Sequence, residues 1–273
     1  MIFELVGIKF NISFFHTIEN GKPYLLFLHG FTGSSNDWKP IVHHINKSFS
    51  SIGIDIIGHG TSDSPVNPEL YTADAIANQI KNIAEITTKG KVIPVGYSMG
   101  GRAALNFTVE YPDMVEALIL ESTTPGIKDK KLREERIKQD EELAAFIESH
   151  SMEEFVDYWM NKDIFNTQRR FSEEKRKQIK NEKIENNPTG LANSLCGFGT
   201  GVMPLLFDEL RNIKCKTLLI TGKLDTKFTN NNSEIVSLFP KAEHKIIKNA
   251  GHNTHLEEPK RFIDVVNGFL KHL

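Results

Sequence analysis

Lys91-Val92-Ile93-Pro94-Val95-Gly96-Tyr97-Ser98-Met99-Gly100-Gly101-Arg102 is the stretch that decides how this chain folds. An apolar run of strand character ends in Gly-x-Ser-x-Gly, and a helical pattern over 102–111 follows. A serine so placed sits on a sharp strand-to-helix turn, and the small residues two before and two after it let the backbone pass close to itself. The helix behind it offers unpaired N–H groups and the positive end of a dipole. A Gly-x-Ser-x-Gly turn alone is common; the strand before it and the helix after it make Ser98 a candidate nucleophile.

Outward from the elbow the rhythm repeats. Residues 24–28, 51–55, 91–96 and 117–120 read as short buried strands. Their near-continuous apolar character fits a parallel sheet covered on both faces. Amphipathic helical patterns at 73–86 and 102–111 lie between them, and 2–15 reads as an antiparallel edge hairpin. After Glu121 the rhythm stops, and 128–187 is charged and helix-prone with no strand pattern. It resumes at 216–220 and 245–247 and closes on an amphipathic helix at 259–270. The pattern predicts an α/β fold, a mostly parallel central sheet flanked by helices, with a helical cap inserted between two core strands. The expected division is a first core part at 1–121, a cap at 122–210 and a second core part at 211–273.

Composition narrows the function classes. The 273 residues carry 33 Lys and Arg against 35 Asp and Glu, a net charge of −2. A protein that grips nucleic acid through its phosphates is strongly basic, so nucleic acid is not an expected partner. No apolar run approaches the roughly 18–20 residues of a membrane span. The opening Met1-Ile2-Phe3-Glu4 has no basic segment and does not read as a secretion signal, so a cytoplasmic protein with no membrane partner is expected. Cys196 and Cys215 are the only cysteines, too few for a disulfide or zinc framework, and no metal is expected. The sequence carries no signal for oligomeric state.

A serine hydroxyl needs a base to become reactive. Asp225, in Gly222-Lys223-Leu224-Asp225, and His252, in Ala250-Gly251-His252, each follow a predicted strand. Both therefore lie at strand C-termini, where open α/β sheets place their sites. The chain order Ser98, Asp225, His252 is the order of an α/β-hydrolase triad. Asp225 also reads as a plain turn or helix-cap residue, and His255, three residues beyond His252, reads as a rival base or as a loop-shaping residue. An oxyanion site needs two backbone donors. The candidates are the N–H of Met99, just after the serine, and the N–H of Phe31, in the loop after the 24–28 strand; the Phe31 side chain can also line the pocket.

These residues resemble a known family. The stretch Leu26-Phe27-Leu28-His29-Gly30-Phe31-Thr32-Gly33-Ser34, the turn Gly58-His59-Gly60-Thr61-Ser62 and the elbow are similar to the α/β-hydrolase fold superfamily. Gly96-Tyr97-Ser98-Met99-Gly100-Gly101-Arg102 with Glu121-Ser122-Thr123-Thr124-Pro125-Gly126 resembles, more narrowly, the 2-succinyl-6-hydroxy-2,4-cyclohexadiene-1-carboxylate synthases (MenH family) of menaquinone biosynthesis. Gly197-Phe198-Gly199-Thr200-Gly201 and Gly251-His252-Asn253-Thr254-His255-Leu256-Glu257 extend the likeness over nearly the whole chain. The resemblance implies a lyase that eliminates pyruvate from 2-succinyl-5-enolpyruvyl-6-hydroxy-3-cyclohexene-1-carboxylate, with no cofactor and no metal. It implies Ser98 as the base for the ring proton, His252 as acceptor of the serine proton and Asp225 as the group that orients the imidazole.

Such a substrate carries three carboxylates, so its pocket should hold cations. Arg102 starts the helix behind Ser98, on the pocket side. At 100° per residue Leu132, Leu143, Phe146 and Ile147 fall on one helix face, and Arg136 lies in the middle of that arc. A charge there either snorkels, meets an anion or pairs internally with Asp140 on the same face; Arg133, at the margin, reads as surface. The resemblance makes Arg136 a substrate-binding residue. It also sets Lys183 where relatives carry arginine, with Arg176 as the alternative, and lysine lacks the bidentate fork. Trp159 matches a cap aromatic or is a core residue, and Tyr97 either donates to substrate or packs.

Two other functions use the same pattern. One is a serine hydrolase acting on a carboxylic ester or a carbon–carbon bond; the other is a non-catalytic receptor of the same fold. A neutral ester has no need of Arg102 and Arg136, which separates the first from the lyase.

Overall fold

The computed structural model describes residues 1–17, 21–88 and 90–273. Eight strands form one sheet: β1 (Ile2–Leu5), β2 (Ile8–His16), β3 (Tyr24–Leu28), β4 (Ser51–Ile54), β5 (Val92–Tyr97), β6 (Ala117–Glu121), β7 (Lys216–Gly222) and β8 (Ala242–Ile247). Their order is β1-β2-β4-β3-β5-β6-β7-β8. The β1–β2 and β2–β4 pairings are antiparallel and all others parallel. The expected edge hairpin turns at Val6-Gly7, where both residues have positive φ (52° and 78°), as a two-residue hairpin turn requires.

Alternation along the strands builds two cores. On one face Leu26, Leu28, Leu118, Leu120 and Leu219 pack with helices α2 (Ala73–Thr87) and α3 (Met99–Glu110). On the other, Leu25, Phe27, Ile93, Val95 and Ile119 pack with α1 (Lys39–Val42) and α10 (Pro259–Leu270). Between β6 and β7 the described chain is wholly helical and irregular, with α4 (Lys130–Ser149), α5 (Met152–Met160), α6 (Glu173–Ile184) and α7 (Pro188–Phe198). These helices have a third core of their own, with Ala144, Ile147, Phe155, Val156, Leu191 and Leu195. Helices α8 (Thr226–Ile235) and α9 (Thr254–Glu257) follow β7 and β8. No helix among the described residues is long and apolar enough to cross a membrane.

Several boundaries differ from the sequence expectation. Helix α3 starts at Met99, not Arg102, because Gly100 and Gly101 are packing residues of its first turn rather than turn-makers. The last strand starts at Ala242; it is an edge strand with a half-exposed, polar first half that hides its period. On α4 only Asp140, Ala144 and Ile147 are buried, and Leu132 is 57% exposed. The apolar arc therefore stops short of the N-terminal turn, because the core that covers α4 is built from its C-terminal half. Arg133, expected at the surface, is half-buried.

Candidate active site

Ser98 joins β5 to α3 with φ 51° and ψ −107°, a region that costs a non-glycine residue about 1–3 kcal/mol. Its surroundings hold it there. The Ser98 N–H donates to Glu121 O at 2.9 Å, and Ser98 O accepts from Arg102 N and Thr123 Oγ1, each at 3.0 Å. The elbow glycines are dictated by close approach: a Cβ on Gly96 would lie 2.3 Å from Gly100 O, and one on Gly100 2.2 Å from Leu28 O.

The three polar residues expected from the strand ends converge. His252 Nε2 lies 3.0 Å from Ser98 Oγ, and His252 Nδ1 lies 2.7 Å from Asp225 Oδ2. An ionised carboxylate only accepts, so Nδ1 carries the proton and Nε2 is left to accept from the serine hydroxyl. Asp225 is also a helix cap, its Oδ1 accepting from Phe228 N at 3.2 Å at the start of α8. Asp225 thus caps α8 and accepts from the His252 imidazole at once. His255 is engaged elsewhere: its Nδ1 donates to Glu121 Oε2 at 2.7 Å, and its ring stacks on Trp38.

A cavity of about 450 Å³ opens at Ser98. Phe31 and Met99 line it, and neither backbone N–H donates to another described residue. The peptide that carries the Phe31 N–H is fixed from its other end. Gly30 O accepts from His29 Nδ1 at 2.8 Å and from Gly33 N at 3.0 Å, while His29 Nε2 accepts from Ile56 N at 3.0 Å. Two backbone donors beside the serine can stabilise an oxygen that gains negative charge.

The expected cations all reach the cavity wall. Arg102 is buried, lies 4.8 Å over the Phe198 ring and donates to Phe198 O. Burial, and next the Arg136 charge, push its guanidinium down to about 9. Arg136 Nε donates to Asp140 Oδ1 at 2.9 Å, so the internal ion pair forms and Arg136 still faces the cavity. Burial raises the Asp140 carboxyl above its ordinary range despite that partner. Lys183 Nζ donates to Thr32 Oγ1 at 2.9 Å, and burial lowers its ammonium. Arg176 is exposed and lies outside the cavity wall, which removes it as the alternative to Lys183.

Tyr97 and Trp159 line the cavity as well. Burial, reinforced by Glu121 and Glu257, pushes the Tyr97 phenol well above its usual value. Trp159 packs edge-on against Phe31 at 5.2 Å, and its buried Nε1 has no hydrogen-bond partner among the described residues. Sequence reasoning missed further wall residues, among them Lys39, Lys175, Lys227 and Asn253. Two of these had a positional signal: Lys227, two residues after Asp225 in the first turn of α8, and Asn253, next to His252. Asn186, just after α6, ties the helical segment to the core, donating to Thr32 O at 3.1 Å and accepting from Gly60 N at 3.0 Å. Among the described residues no group of three or more His, Cys, Asp and Glu is arranged to hold a metal ion.

Comparison with known proteins places this architecture. The family model of the alpha/beta hydrolase fold matches residues 23–259. A Bacillus subtilis (strain 168) protein named "Putative 2-succinyl-6-hydroxy-2,4-cyclohexadiene-1-carboxylate synthase" is 41% identical over 254 residues, covering 92% of this chain and 91% of its own. The 2-succinyl-6-hydroxy-2,4-cyclohexadiene-1-carboxylate synthase of Salmonella typhimurium is 28% identical, covering 93% and 96%. The solved structure of MenH from S. aureus superposes with a TM-score of 0.91 at 31% identity, covering 96% of this chain and 98% of that one. The chain belongs to the α/β-hydrolase fold family and, within it, to the family of 2-succinyl-6-hydroxy-2,4-cyclohexadiene-1-carboxylate synthases.

Proposed function

We propose that this protein is a carbon–oxygen lyase of the cytoplasm. It eliminates pyruvate from 2-succinyl-5-enolpyruvyl-6-hydroxy-3-cyclohexene-1-carboxylate to give 2-succinyl-6-hydroxy-2,4-cyclohexadiene-1-carboxylate. The observation that carries the reading is the Ser98–His252–Asp225 chain opening on a cavity with Arg102, Arg136 and Lys183 in its wall. A hydroxyl made basic and a cationic wall together suit proton abstraction from a small polyanion. The family relationship supports the same reaction.

His252 Nε2 draws the hydroxyl proton from Ser98, and the serine oxygen removes the ring proton next to the succinyl carbonyl. The released electron pair forms a ring double bond, the existing double bond shifts by one position, and the C–O bond to the enolpyruvyl group breaks. The leaving group departs as the enolate of pyruvate and takes up a proton. The Phe31 and Met99 N–H groups stabilise the charge that builds on the succinyl carbonyl oxygen; one such donor is worth about 3–4 kcal/mol of barrier. Asp225 holds the imidazole in the tautomer this relay needs. Arg102, Arg136 and Lys183 hold carboxylates, and Trp159 and Tyr97 pack against the ring. No step calls for a cofactor or a metal.

Ester hydrolysis is the second reading, since the same relay and donor pair suit acyl transfer. Pyruvate release from the enolpyruvyl substrate, measured beside hydrolysis of a panel of neutral p-nitrophenyl esters, decides between them. Pyruvate release far outpacing ester turnover is expected; the reverse order would replace the lyase reading with the hydrolase one.

A further inference from the structure

Glu121 ends the strand beside the elbow and is fully buried. Its backbone and its side chain serve different partners. The backbone carbonyl accepts the Ser98 N–H at 2.9 Å. The carboxylate accepts four hydrogen bonds, all from the segment that follows His252. Oε1 takes Thr254 N at 2.6 Å, Thr254 Oγ1 at 2.7 Å and His255 N at 3.0 Å, and Oε2 takes His255 Nδ1–H at 2.7 Å. One residue thus grips both sides of the 3.0 Å Ser98–His252 contact.

Packing alone does not call for this arrangement. A buried carboxylate is costly to desolvate, and apolar residues of similar volume often replace buried polar pairs with no loss of stability. His255 is held from the other side by Trp38, stacked at 4.2 Å, and by the edge of Tyr97 at 5.2 Å, so its ring has one orientation in which to meet Glu121. The result is a rigid strut between the strand next to the nucleophile and the loop of the base.

We propose that Glu121 and His255 are positioning residues, which set the Ser98–His252 separation by fixing the His252 loop to the strand beside the elbow. The proposal rests on the reading that Ser98 and His252 are the reacting pair. Glu121 lies outside the cavity wall, and His255, which reaches that wall, has its Nδ1 committed to Glu121, so loss of the strut acts on turnover more than on binding.

The test compares His255→Leu, His255→Asn and Thr254→Val with the wild-type full chain. The readouts are kcat and KM for pyruvate release and the rate of Ser98 labelling by phenylmethylsulfonyl fluoride, followed by intact mass. His255→Leu should slow both labelling and kcat about 10–100-fold, as a small misplacement of reacting groups does, with KM within about twofold. His255→Asn, whose amide N–H can take the place of Nδ1–H, should recover most of the loss. Thr254→Val deletes a single hydrogen bond without changing shape and should slow labelling about threefold or more. A folded His255→Leu protein that labels at the wild-type rate overturns the proposal. So does a His255→Asn protein as slow as His255→Leu, which would assign the effect to packing on Trp38. If His255→Leu does not fold, Thr254→Val decides, and unchanged labelling overturns the proposal. A wild-type protein that releases no pyruvate but labels readily, with the variants slowed, removes the lyase reading and leaves the strut standing.

Discussion

Arg136 Nε donates to Asp140 Oδ1 at 2.9 Å, one turn further along α4, so the guanidinium meets the cavity with a carboxylate already beside it. The Asp140 side chain is 7% exposed and that of Arg136 35%. Arg136→Ala should raise KM for the tricarboxylate about tenfold or more and leave turnover of a neutral p-nitrophenyl ester within about twofold. It should also lower stability by about 1 kcal/mol, a buried-pair value discounted for the exposure of the arginine, because the carboxylate is left without its partner. Adding Asp140→Asn should restore the melting temperature but not KM. Equal losses on both substrates would remove Arg136 from ligand binding.

Ser98 occupies a backbone region suited to glycine. Ser98→Ala should abolish pyruvate release and leave the melting temperature close to wild type. Ser98→Gly should be equally inactive but more stable, by about 1 kcal/mol, since glycine adopts a positive φ without the steric cost. Residual turnover in Ser98→Ala comparable to wild type would take the hydroxyl out of the reaction.

Lys39, Lys175, Lys183 and Lys227 stand around the cavity against the acidic Asp37 and Glu182. This local excess of positive charge sits on a chain of net charge −2. For the anionic substrate, kcat/KM should fall about fivefold or more as salt rises from about 20 mM to about 200 mM, because screening shortens the reach of the field. Turnover of a neutral ester should stay flat over the same range. A flat profile for both would mean that the lysines do not guide the ligand.

Acid should weaken the fold through its buried imidazoles. Burial, then the neighbouring His29, pushes His59 down to about 3 from an ordinary 6.5, and burial lowers His29 as well. The unfolded chain takes up these protons more readily than the folded protein does. The contribution of neutral His59 is therefore complete above pH 6.5 and is lost as pH falls from 6.5 towards 3. At pH 5.5 the deficit from this one group is on the order of 1 kcal/mol. His59→Gln should flatten the fall in melting temperature between about pH 7.5 and about pH 5.5; an undiminished slope would place the acid sensitivity elsewhere.

What could be read in advance follows from range. The elbow was legible because its first glycine answers to a contact formed within a few residues, Gly96 against Gly100, even though Gly100 itself answers to the distant Leu28 carbonyl. Asp225 and His252 were legible because each lies in the loop just past the C-terminal end of a strand of the parallel sheet. Glu121 was not. Its burial as a carboxylate depends on donors 133 and 134 residues away, and nothing in Leu120-Glu121-Ser122 announces them. Glu257 escaped notice as well: its carboxylate accepts from the nearby Gly251 N at 2.8 Å, but its charged partner, Arg170 at 3.3 Å, comes from the helical segment 87 residues away. The first half of β8 was hidden by its edge position, where one open side admits polar residues. Leu132 misled because helical periodicity gives direction around an axis and says nothing of where along that axis the covering helix ends.

Asp225 spends one carboxylate oxygen on the histidine and the other on the first turn of α8. Any screen that ranks variants at this position by soluble yield will therefore register the loss of the helix cap and miss the loss of the imidazole's partner. An asparagine there keeps an oxygen for the helix while denying the imidazole its acceptor, and would pass such a screen while failing every assay of turnover. Engineering that aims to harden the protein against heat has no free choice at residue 225, and must look to other helix starts.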